Sequence, residues 1–341
     1  MKIVIAPDSF KECLPSTRVA EVLAQALRVQ FPQTQMALLP LADGGEGTLD
    51  VLTRIEEVTR CEVTVQDPLG RPVKAAMGIR GTTAFLEVAQ ACGLSLLAPG
   101  ERTPLKVHTR GVGELILAAY DRGCRQFIVG LGGSATCDGG AGMLSVPGVK
   151  DILGKVQVTL LCDVETPFIG PKGAVRVFAP QKGASPAELE ILEARMADLA
   201  RQMQQETSLD VTLRKGAGAA GGLAGALMAY AKAEYTSGAQ RIMDLVGFDE
   251  ALSGANLVIT GEGKSDGQTL LGKVPYAVLR RSAGLPVALV SGRIEDRPAL
   301  EQAGFSPIVE VTPRDLPLPE ALKEENAIRN LTLAAQALHL D

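Results

Sequence analysis

Residues 130–142 read GLGGSATCDGGAG and directly follow the apolar run Phe127-Ile128-Val129. Nearly half of them are glycine, and the others are small apart from Leu131 and Asp138. A buried strand that opens into glycines lets backbone N–H groups approach an anionic ligand, because no Cβ atom stands in the way. The stretch therefore predicts a ligand-binding loop at the end of a strand.

Two other stretches share this design, since each joins glycines to carboxylates: Asp43-Gly44-Gly45-Glu46-Gly47 and Gly261–Gly267. A single Asp-Gly or Gly-Gly pair is commonly a plain turn, so one such loop alone favours a structural role. Three of them, each after a predicted strand, favour convergence on one cleft that holds an anion and a metal ion.

The composition excludes several classes of protein. The chain has 341 residues, 46% of them hydrophobic, and a net charge of −5, which is typical of a globular protein and provides no basic face for nucleic acid. No apolar run reaches the length of a membrane span, and the N-terminal residues read as a strand rather than a signal peptide.

Six scattered cysteines indicate reduced thiols in a cytoplasmic protein. With two histidines, the chemistry must rest on carboxylates, lysine or arginine, hydroxyls and backbone dipoles.

Alternating strands and helices at both ends of the chain predict one α/β domain. Lys2–Ala6 and Met36–Leu41 read as parallel strands. The helix between them has an apolar stripe at Val19–Leu27 and is expected to be capped by Ser16. The last third of the chain returns to the same alternation.

The middle of the chain predicts a second domain with a mixed sheet. Glu62–Val65 and Pro72–Ile79 flank a turn at Asp67–Gly70, which indicates an antiparallel hairpin. Ser185 and Glu188 form a capping box before a helix whose apolar positions indicate core packing. The predicted fold class is α/β, with two α/β domains around a cleft. One, a doubly wound parallel sheet, comprises residues 1–60 and 240–341, and the other, with the mixed sheet, is inserted at 61–239.

The glycine-rich loops with carboxylates favour phosphoryl transfer, although the sequence contains none of the standard nucleotide-binding motifs. The sequence has no G-x-x-x-x-G-K-[ST] and no G-x-G-x-x-G in the required context, which argues against a P-loop kinase and a Rossmann dehydrogenase. Glycine amides and a lysine can nevertheless cradle phosphates, and carboxylates can hold Mg²⁺. An aspartate can accept the proton of an attacking hydroxyl.

Eight motifs, spread from the N-terminus almost to the C-terminus, are long enough to identify a family: Ile3–Lys11, Leu41–Thr48, Gly132–Thr136, Asp138–Gly142, Cys162–Val164, Pro180–Ala184, Gly216–Gly222 and Thr260–Gly263. In these motifs the chain resembles the bacterial glycerate kinases of the glycerate 2-kinase type. The resemblance implies ATP-dependent, Mg²⁺-assisted phosphorylation of D-glycerate, usually on the 2-hydroxyl, by two α/β domains that flank a cleft.

The resemblance and the glycine loops together select the candidate site residues. Those for catalysis are Asp8, Lys11, Asp163 and Asp266, of which Asp163 and Asp266 are also the candidate metal ligands. Those for binding substrate or nucleotide are Ser9, Asp43, Gly44, Gly45, Glu46, Gly132, Gly133, Ser134, Thr136, Asp138, Lys182, Glu262, Lys264 and Lys273. The expected cofactors are ATP, as co-substrate, and Mg²⁺. The expected partner is a small hydroxy acid, with no nucleic acid and no membrane. Which aspartate acts as the base and which binds metal stays open, as does whether the chain forms a homo-oligomer.

The chain departs from the family pattern at a few positions. Cys137 replaces the usual Asn, Lys264-Ser265 the usual Arg-Ile, and Val112 a frequent Thr. The segment Ser145–Lys155 is shorter than its counterpart in the family. It is read either as a trimmed peripheral excursion or as damage that leaves a catalytically impaired nucleotide- or metabolite-binding relative. A kinase for another small sugar acid is the remaining alternative.

Overall fold

The computed structural model describes residues 1–55, 57–282 and 284–338. The chain divides into two compact units, Met1–Asp43 with Ala239–Asp341, and Gly44–Gly238. The first unit is therefore assembled from both ends of the chain, and the second is an insertion.

Within the described residues, the strands are β1 (Lys2–Ile5), β2 (Gln35–Leu38), β3 (Thr59–Gln66), β4 (Pro72–Arg80), β5 (Thr83–Glu87), β6 (Gln126–Gly130), β7 (Gln157–Leu161), β8 (Glu234–Thr236), β9 (Leu257–Thr260), β10 (Lys264–Ser265), β11 (Val287–Ser291), β12 (Arg293–Ile294) and β13 (Phe305–Glu310). The α-helices are α1 (Ser16–Gln30), α2 (Thr48–Leu52), α3 (Ala89–Cys92), α4 (Arg110–Asp121), α5 (Ala141–Leu144), α6 (Val149–Leu153), α7 (Ala174–Phe178), α8 (Pro186–Thr207), α9 (Leu223–Ala231), α10 (Gly238–Leu245), α11 (Phe248–Leu252), α12 (Val274–Arg281), α13 (Arg297–Ala303), α14 (Leu318–Ala321) and α15 (Glu324–Gln336). No helix in this described part of the chain is both long enough and apolar enough to cross a bilayer.

The first unit is built on a five-stranded parallel sheet in the order β13-β11-β9-β1-β2. Counted along the chain within this unit, the strands run 2-1-3-4-5, which is a doubly wound order. The order reverses between β1 and β9, and ligands of such sheets bind outside the carboxyl ends of the strands at that switch point. Helices α1 and α15 pack together on this sheet, with Leu23, Leu27 and Leu331 in the core.

The predicted helix cap at Ser16 is wrong. Helix α1 begins at Ser16, and Pro15 occupies the cap position with extended backbone (ψ 151°). The Pro15 carbonyl accepts the N–H groups of Arg18 and Val19, so Ser16 is already a buried helical residue.

The second unit is built on a six-stranded mixed sheet in the order β3-β4-β5-β6-β7-β8. The first three strands are antiparallel and the others are parallel, which confirms the predicted hairpin and the predicted α/β class with one parallel and one mixed sheet. The hairpin turn is held by Asp67, whose Oδ1 accepts the N–H groups of Leu69 and Arg71 at 2.8 Å each. Helix α2 packs against β4 and β5, so residues 44–55, which were predicted to belong to the first domain, lie in the second unit.

The predicted capping box of α8 is present, and its apolar stripe is core. The Glu188 carboxylate accepts hydrogen bonds from the Ser185 N–H (2.7 Å) and hydroxyl (2.8 Å). Along the helix, Leu192, Met196 and Met203 are buried.

The short segment after the central glycine loop is a packed part of the second unit. Val146, Val149 and Ile152 belong to its hydrophobic core. Lys150 Nζ lies 2.7 Å from a carboxylate oxygen of Glu206 on α8, which anchors α6 to that helix. The segment therefore buries apolar surface as a regular part of the fold.

Candidate active site

A cavity of about 280 Å³ lies in the first unit, at the carboxyl ends of β1, β9 and β11. Its polar lining consists of Asp8, Ser9, Lys11, Glu262, Lys264, Lys273 and Arg293. Its apolar lining includes Cys13, Val311, Leu318, Ala321 and Leu322. The cavity therefore gathers most of the charged candidates that the sequence places in this unit.

Backbone contacts between the strand ends shape this cavity. The Asp8 N–H donates to the Gly261 carbonyl (2.9 Å), and the Gly292 N–H donates to the Glu262 carbonyl (3.0 Å). A Cβ atom on Gly261 would lie 1.7 Å from the Val290 carbonyl oxygen, so only glycine permits the approach of the loop after β9 to β11. The glycine of this loop brings two backbones together, which holds Asp8 and Glu262 beside the cavity.

Asp8 is a buried carboxyl with little compensation for its charge. Its Oδ1 accepts one hydrogen bond, from the Ser9 N–H at 2.7 Å. Burial and the neighbouring carboxylate of Asp43 raise the pKa of Asp8 to about 7, with Glu262 contributing in the same direction and Lys11 opposing. A carboxyl in this state exchanges protons near neutral pH and is stabilised in its ionised form by a cation.

Glu262 is equally buried but is well provided with donors. Its Oε1 accepts the hydroxyls of Ser265 (3.0 Å) and Thr269 (2.6 Å), and its Oε2 lies 3.5 Å from Lys273 Nζ. Burial raises the pKa of Glu262, and these hydrogen bonds and Lys273 oppose that rise. The hydroxyls of Ser265 and Thr269 were missed from the sequence, since short polar side chains in a loop carry no pattern that marks their partner.

Lys264 and Asp266 lie in the loop between Glu262 and Lys273 and make contacts close to it in sequence or space. Asp266 Oδ1 accepts the N–H of Gln268 at 2.9 Å, and its Oδ2 lies 3.6 Å from Lys264 Nζ. Lys264 also pairs with Glu295 at 2.9 Å and is half exposed. The structure thus shows local partners for Asp266, while Lys264 lines the cavity.

Two of the predicted glycine loops touch within the second unit. The Gly132 N–H donates to the Gly44 carbonyl at 3.1 Å. A Cβ atom on Gly132 would lie 2.4 Å from the Gly45 Cα atom, so the backbones are in direct contact. Gly133 and Glu46 are exposed beside this contact. The convergence of all three loops on one cleft stays a prediction.

Asp138 uses its carboxylate to close the central loop. Its Oδ2 accepts the N–H of Thr109 (2.8 Å), the hydroxyl of Thr109 (2.9 Å) and the N–H of Gly142 (3.0 Å). Its Oδ1 accepts the N–H of Gly140 at 3.1 Å. Four donors fill most of the acceptor capacity of one carboxylate, so the side chain joins the loop to the start of α4.

Lys182 supports the same loop from inside the second unit. Its side chain is buried, and Nζ donates to the Ser134 hydroxyl (2.9 Å) and to the Thr136 carbonyl (2.8 Å). Burial lowers the pKa of Lys182, while nearby Cys137 and Asp138 oppose that change. The ammonium group therefore orders the backbone that carries Ser134 and Thr136.

The two candidate metal ligands belong to different units of the chain. Asp163 follows β7 in the second unit and is exposed, whereas Asp266 belongs to the first unit. Over residues 1–55, 57–282 and 284–338, no group of three or more His, Cys, Asp or Glu side chains is arranged to hold a metal ion.

Comparison with known proteins places the chain in a family. The model of the glycerate kinase family matches residues 3–152 and 145–339. The two matches overlap at residues 145–152, within the segment Ser145–Lys155 that was predicted to be shortened.

Individual relatives agree with the family match over nearly the whole chain. The chain is 39% identical to "Glycerate kinase" of Bacillus subtilis, over 95% of this chain and 93% of that protein. It is 39% identical to "Glycerate 2-kinase" of Escherichia coli, over 87% of this chain and 86% of that protein. A crystal structure from Salmonella typhimurium LT2, assigned provisionally as glycerate kinase 2, superposes with a TM-score of 0.83 at 36% identity, over 98% of this chain and 96% of that one. These matches confirm the kinase that the motifs predict: the chain belongs to the glycerate kinase family.

Proposed function

We propose that this protein transfers the terminal phosphoryl group of ATP to the 2-hydroxyl of D-glycerate. Membership of the glycerate kinase family supports phosphorylation of glycerate. A relative named for the 2-kinase supports the choice of hydroxyl. The observation that carries the proposal is the first-unit cavity, in which the buried carboxyls Asp8 and Glu262 lie among lysines at a sheet switch point.

The charge distribution of the cavity suits two anionic reactants. Lys11, Lys264, Lys273 and Arg293 can neutralise phosphate oxygens and the carboxylate of the acid. Lys273 also lies near Glu262, and that carboxylate orients the ammonium group. Positioning and charge neutralisation are the main contributions a protein makes to phosphoryl transfer.

The donor chemistry of the cavity fits Mg²⁺. Burial, and after it the charges of Asp43 and Glu262, destabilise Asp8 as an anion, and a divalent cation would offset both effects. Asp8 and Asp43 are therefore the residues that would hold the ion, with water completing the shell. When bound, Mg²⁺ neutralises charge on the transferred phosphoryl group.

The short segment Ser145–Lys155 favours a working enzyme over an impaired relative. Its apolar side chains lie in the core of the second unit, and Lys150 is paired with Glu206. A trimmed excursion that still packs well gives no reason to expect lost catalysis. The cytoplasmic location and a homo-oligomer stay predictions.

A coupled assay of ADP release with D-glycerate and MgATP tests the proposal. We expect turnover that depends on both reactants and on Mg²⁺, with 2-phosphoglycerate identified by phosphorus NMR. A panel of small sugar acids serves as the comparison, because a higher kcat/KM for another acid would change the acceptor. Absence of turnover with every acid would contradict the proposal.

A further inference from the structure

Glu87 is a buried carboxyl outside all the candidate residues. It is 2% exposed and ends β5, where it pairs in parallel register with Gly130 of β6. The Val88 N–H donates to the Gly130 carbonyl at 2.9 Å, which fixes this strand end beside the central glycine loop. An ionised carboxylate at such a depth needs several donors to be tolerated.

The donors of Glu87 come from the other glycine loop. Its Oε1 accepts the N–H of Thr48 at 3.2 Å, and the N–H of Gly47 also hydrogen-bonds to this carboxylate. Gly47 has φ +90°, a conformation that glycine adopts without strain. The carboxylate therefore holds the end of the loop Gly44–Gly47, whose one long side chain, Glu46, is exposed.

A second side chain fixes the direction of these hydrogen bonds. Gln90 Nε2 donates to Glu87 Oε2 at 3.2 Å, and Gln90 Oε1 accepts the N–H of Ala76 at 3.2 Å. Because the Ala76 N–H must donate, Gln90 must turn its amide nitrogen toward residue 87. Residue 87 must then accept on both of its terminal atoms, which a carboxylate does and an amide cannot.

We propose that Glu87 is a positioning residue for phosphoryl transfer: its carboxylate, oriented by Gln90, accepts the amides at Gly47 and Thr48 and so holds the loop Gly44–Gly47 against Gly130 and Gly132. The inference rests on the proposed function, in which these loops contact a reactant. Direct backbone contact supports the coupling, because a Cβ atom on Gly130 would lie 2.6 Å from the Gly44 carbonyl oxygen. A shift of one loop therefore moves the other.

The electrostatics of the position agree with this role. Burial raises the pKa of Glu87 to about 7, the nearby carboxylate of Asp50 on α2 acts in the same direction, and the hydrogen bonds from Gln90, Thr48 and Gly47 oppose the rise. A group that served only to fill space would be an amide or an apolar side chain. Here both terminal atoms accept hydrogen bonds, which a carboxylate can do.

Swapping the side chains of Glu87 and Gln90 tests the proposal. Glu87→Gln leaves an amide facing the Gln90 amide, with two donors opposed. The double variant Glu87→Gln with Gln90→Glu restores every bond, since the new carboxylate accepts from Ala76 and from the new amide, whose oxygen accepts from Thr48. The matched control is Glu62→Gln, which makes the same change at an exposed site on β3 of the same sheet.

There are two readouts. The first is hydrogen exchange of the Gly47 and Thr48 amides, measured without ligand. The second is the pair of constants kcat and KM, measured with D-glycerate and MgATP. For Glu87→Gln we expect about tenfold faster exchange and about a tenfold lower kcat/KM, with the double variant within about threefold of wild type. Unchanged exchange, or faster exchange at unchanged kcat/KM, would overturn the role. So would a double variant no better than Glu87→Gln. If wild type shows no turnover, the proposed function fails by itself, while exchange still decides whether Glu87 holds the loop.

Discussion

Asp8 in the first unit and Asp138 in the second have the same sequence context but opposite surroundings. Each lies in a loop that follows an apolar strand, and each was a candidate for the site. Asp138 accepts four hydrogen bonds from its own loop and from Thr109. Asp8 accepts one from Ser9 and faces the repulsion of Asp43 and Glu262. A carboxylate supplied with donors stabilises a loop, whereas one short of donors is free to bind or to exchange a proton.

Asp8→Asn gives the largest expected effect. It removes the charge that we assign to Mg²⁺ binding, so kcat/KM should fall about 10²–10³-fold in the coupled assay. The same change in the second unit, Asp138→Asn, is the comparison, and an equal fall in kcat/KM in both variants would contradict the distinction between the two aspartates.

The stability of Asp8→Asn should change in the opposite direction. Because the pKa of Asp8 is raised in the folded state, its contribution to stability is present below its ordinary pKa of 3.8 and is lost as the pH rises through about 7. Relative to wild type, the variant should gain a few kcal/mol of unfolding free energy between pH 4 and pH 8, measured by urea titration. A constant difference across this range would show that Asp8 titrates normally.

Asp138→Ala should mainly cost stability. The N–H groups of Thr109, Gly140 and Gly142 lose their acceptor, which we expect to lower the unfolding free energy by about 2–4 kcal/mol. Urea unfolding measures this, and kcat/KM at a temperature well below the midpoint measures the remaining activity. A large loss of kcat/KM at unchanged stability would give Asp138 a direct catalytic part.

Thr269→Val tests how hydrogen-bond donors to a buried carboxylate affect activity in the first unit. Loss of the 2.6 Å hydrogen bond to Glu262 should raise the pKa of that carboxyl further and lower kcat/KM about tenfold. The acid limb of the pH profile should move to higher pH. Thr332→Val, which removes a hydroxyl on α15 that bonds only to the Ile328 carbonyl in the described contacts, is the matched control and should leave the profile in place.

Lys264→Ala should have the smallest effect. Its ammonium group is half exposed and is shared between Glu295 and Asp266, so solvent screens both ion pairs and urea unfolding should show little change in stability. The KM for one reactant should rise a few-fold, because one of several cavity cations is lost. Lys273→Ala removes the cation beside the buried Glu262 and should lower kcat more than Lys264→Ala does, so the opposite order would contradict this prediction.

The sequence predicts the elements of the fold well where a local pattern fixes them. The hairpin at β3 and β4 follows from alternation around the Asp67 turn, and the start of α8 follows from Ser185 and Glu188. Helix α1 shows the limit of local reading, since a serine before an apolar stripe looks like a cap, yet Pro15 takes that position. Deciding whether Ser16 or Pro15 occupies the cap position requires the backbone angles.

The candidate site is less accessible to sequence reasoning, because partners are distant along the chain. Asp138 meets Thr109, and Lys182 meets Ser134, through packing that no local spacing encodes. Glu87 reads as the polar end of an apolar strand, and its link to Thr48 depends on strand order. Glycine loops and carboxylates can be located from sequence, but the donors that decide their chemistry cannot.

Construction of the first unit from both chain ends has a consequence for biosynthesis. β1 and β2 emerge from the ribosome before the whole of Gly44–Gly238, and β9, the other neighbour of β1, emerges only afterwards. At ordinary translation rates this delay is roughly 10–40 s, long enough for the inserted unit to fold first. Meanwhile the apolar face of α1, including Leu23 and Leu27, has no α15 to cover it. The nascent N-terminal segment thus exposes apolar surface until α15 has been made, and a chaperone that bound there would protect it.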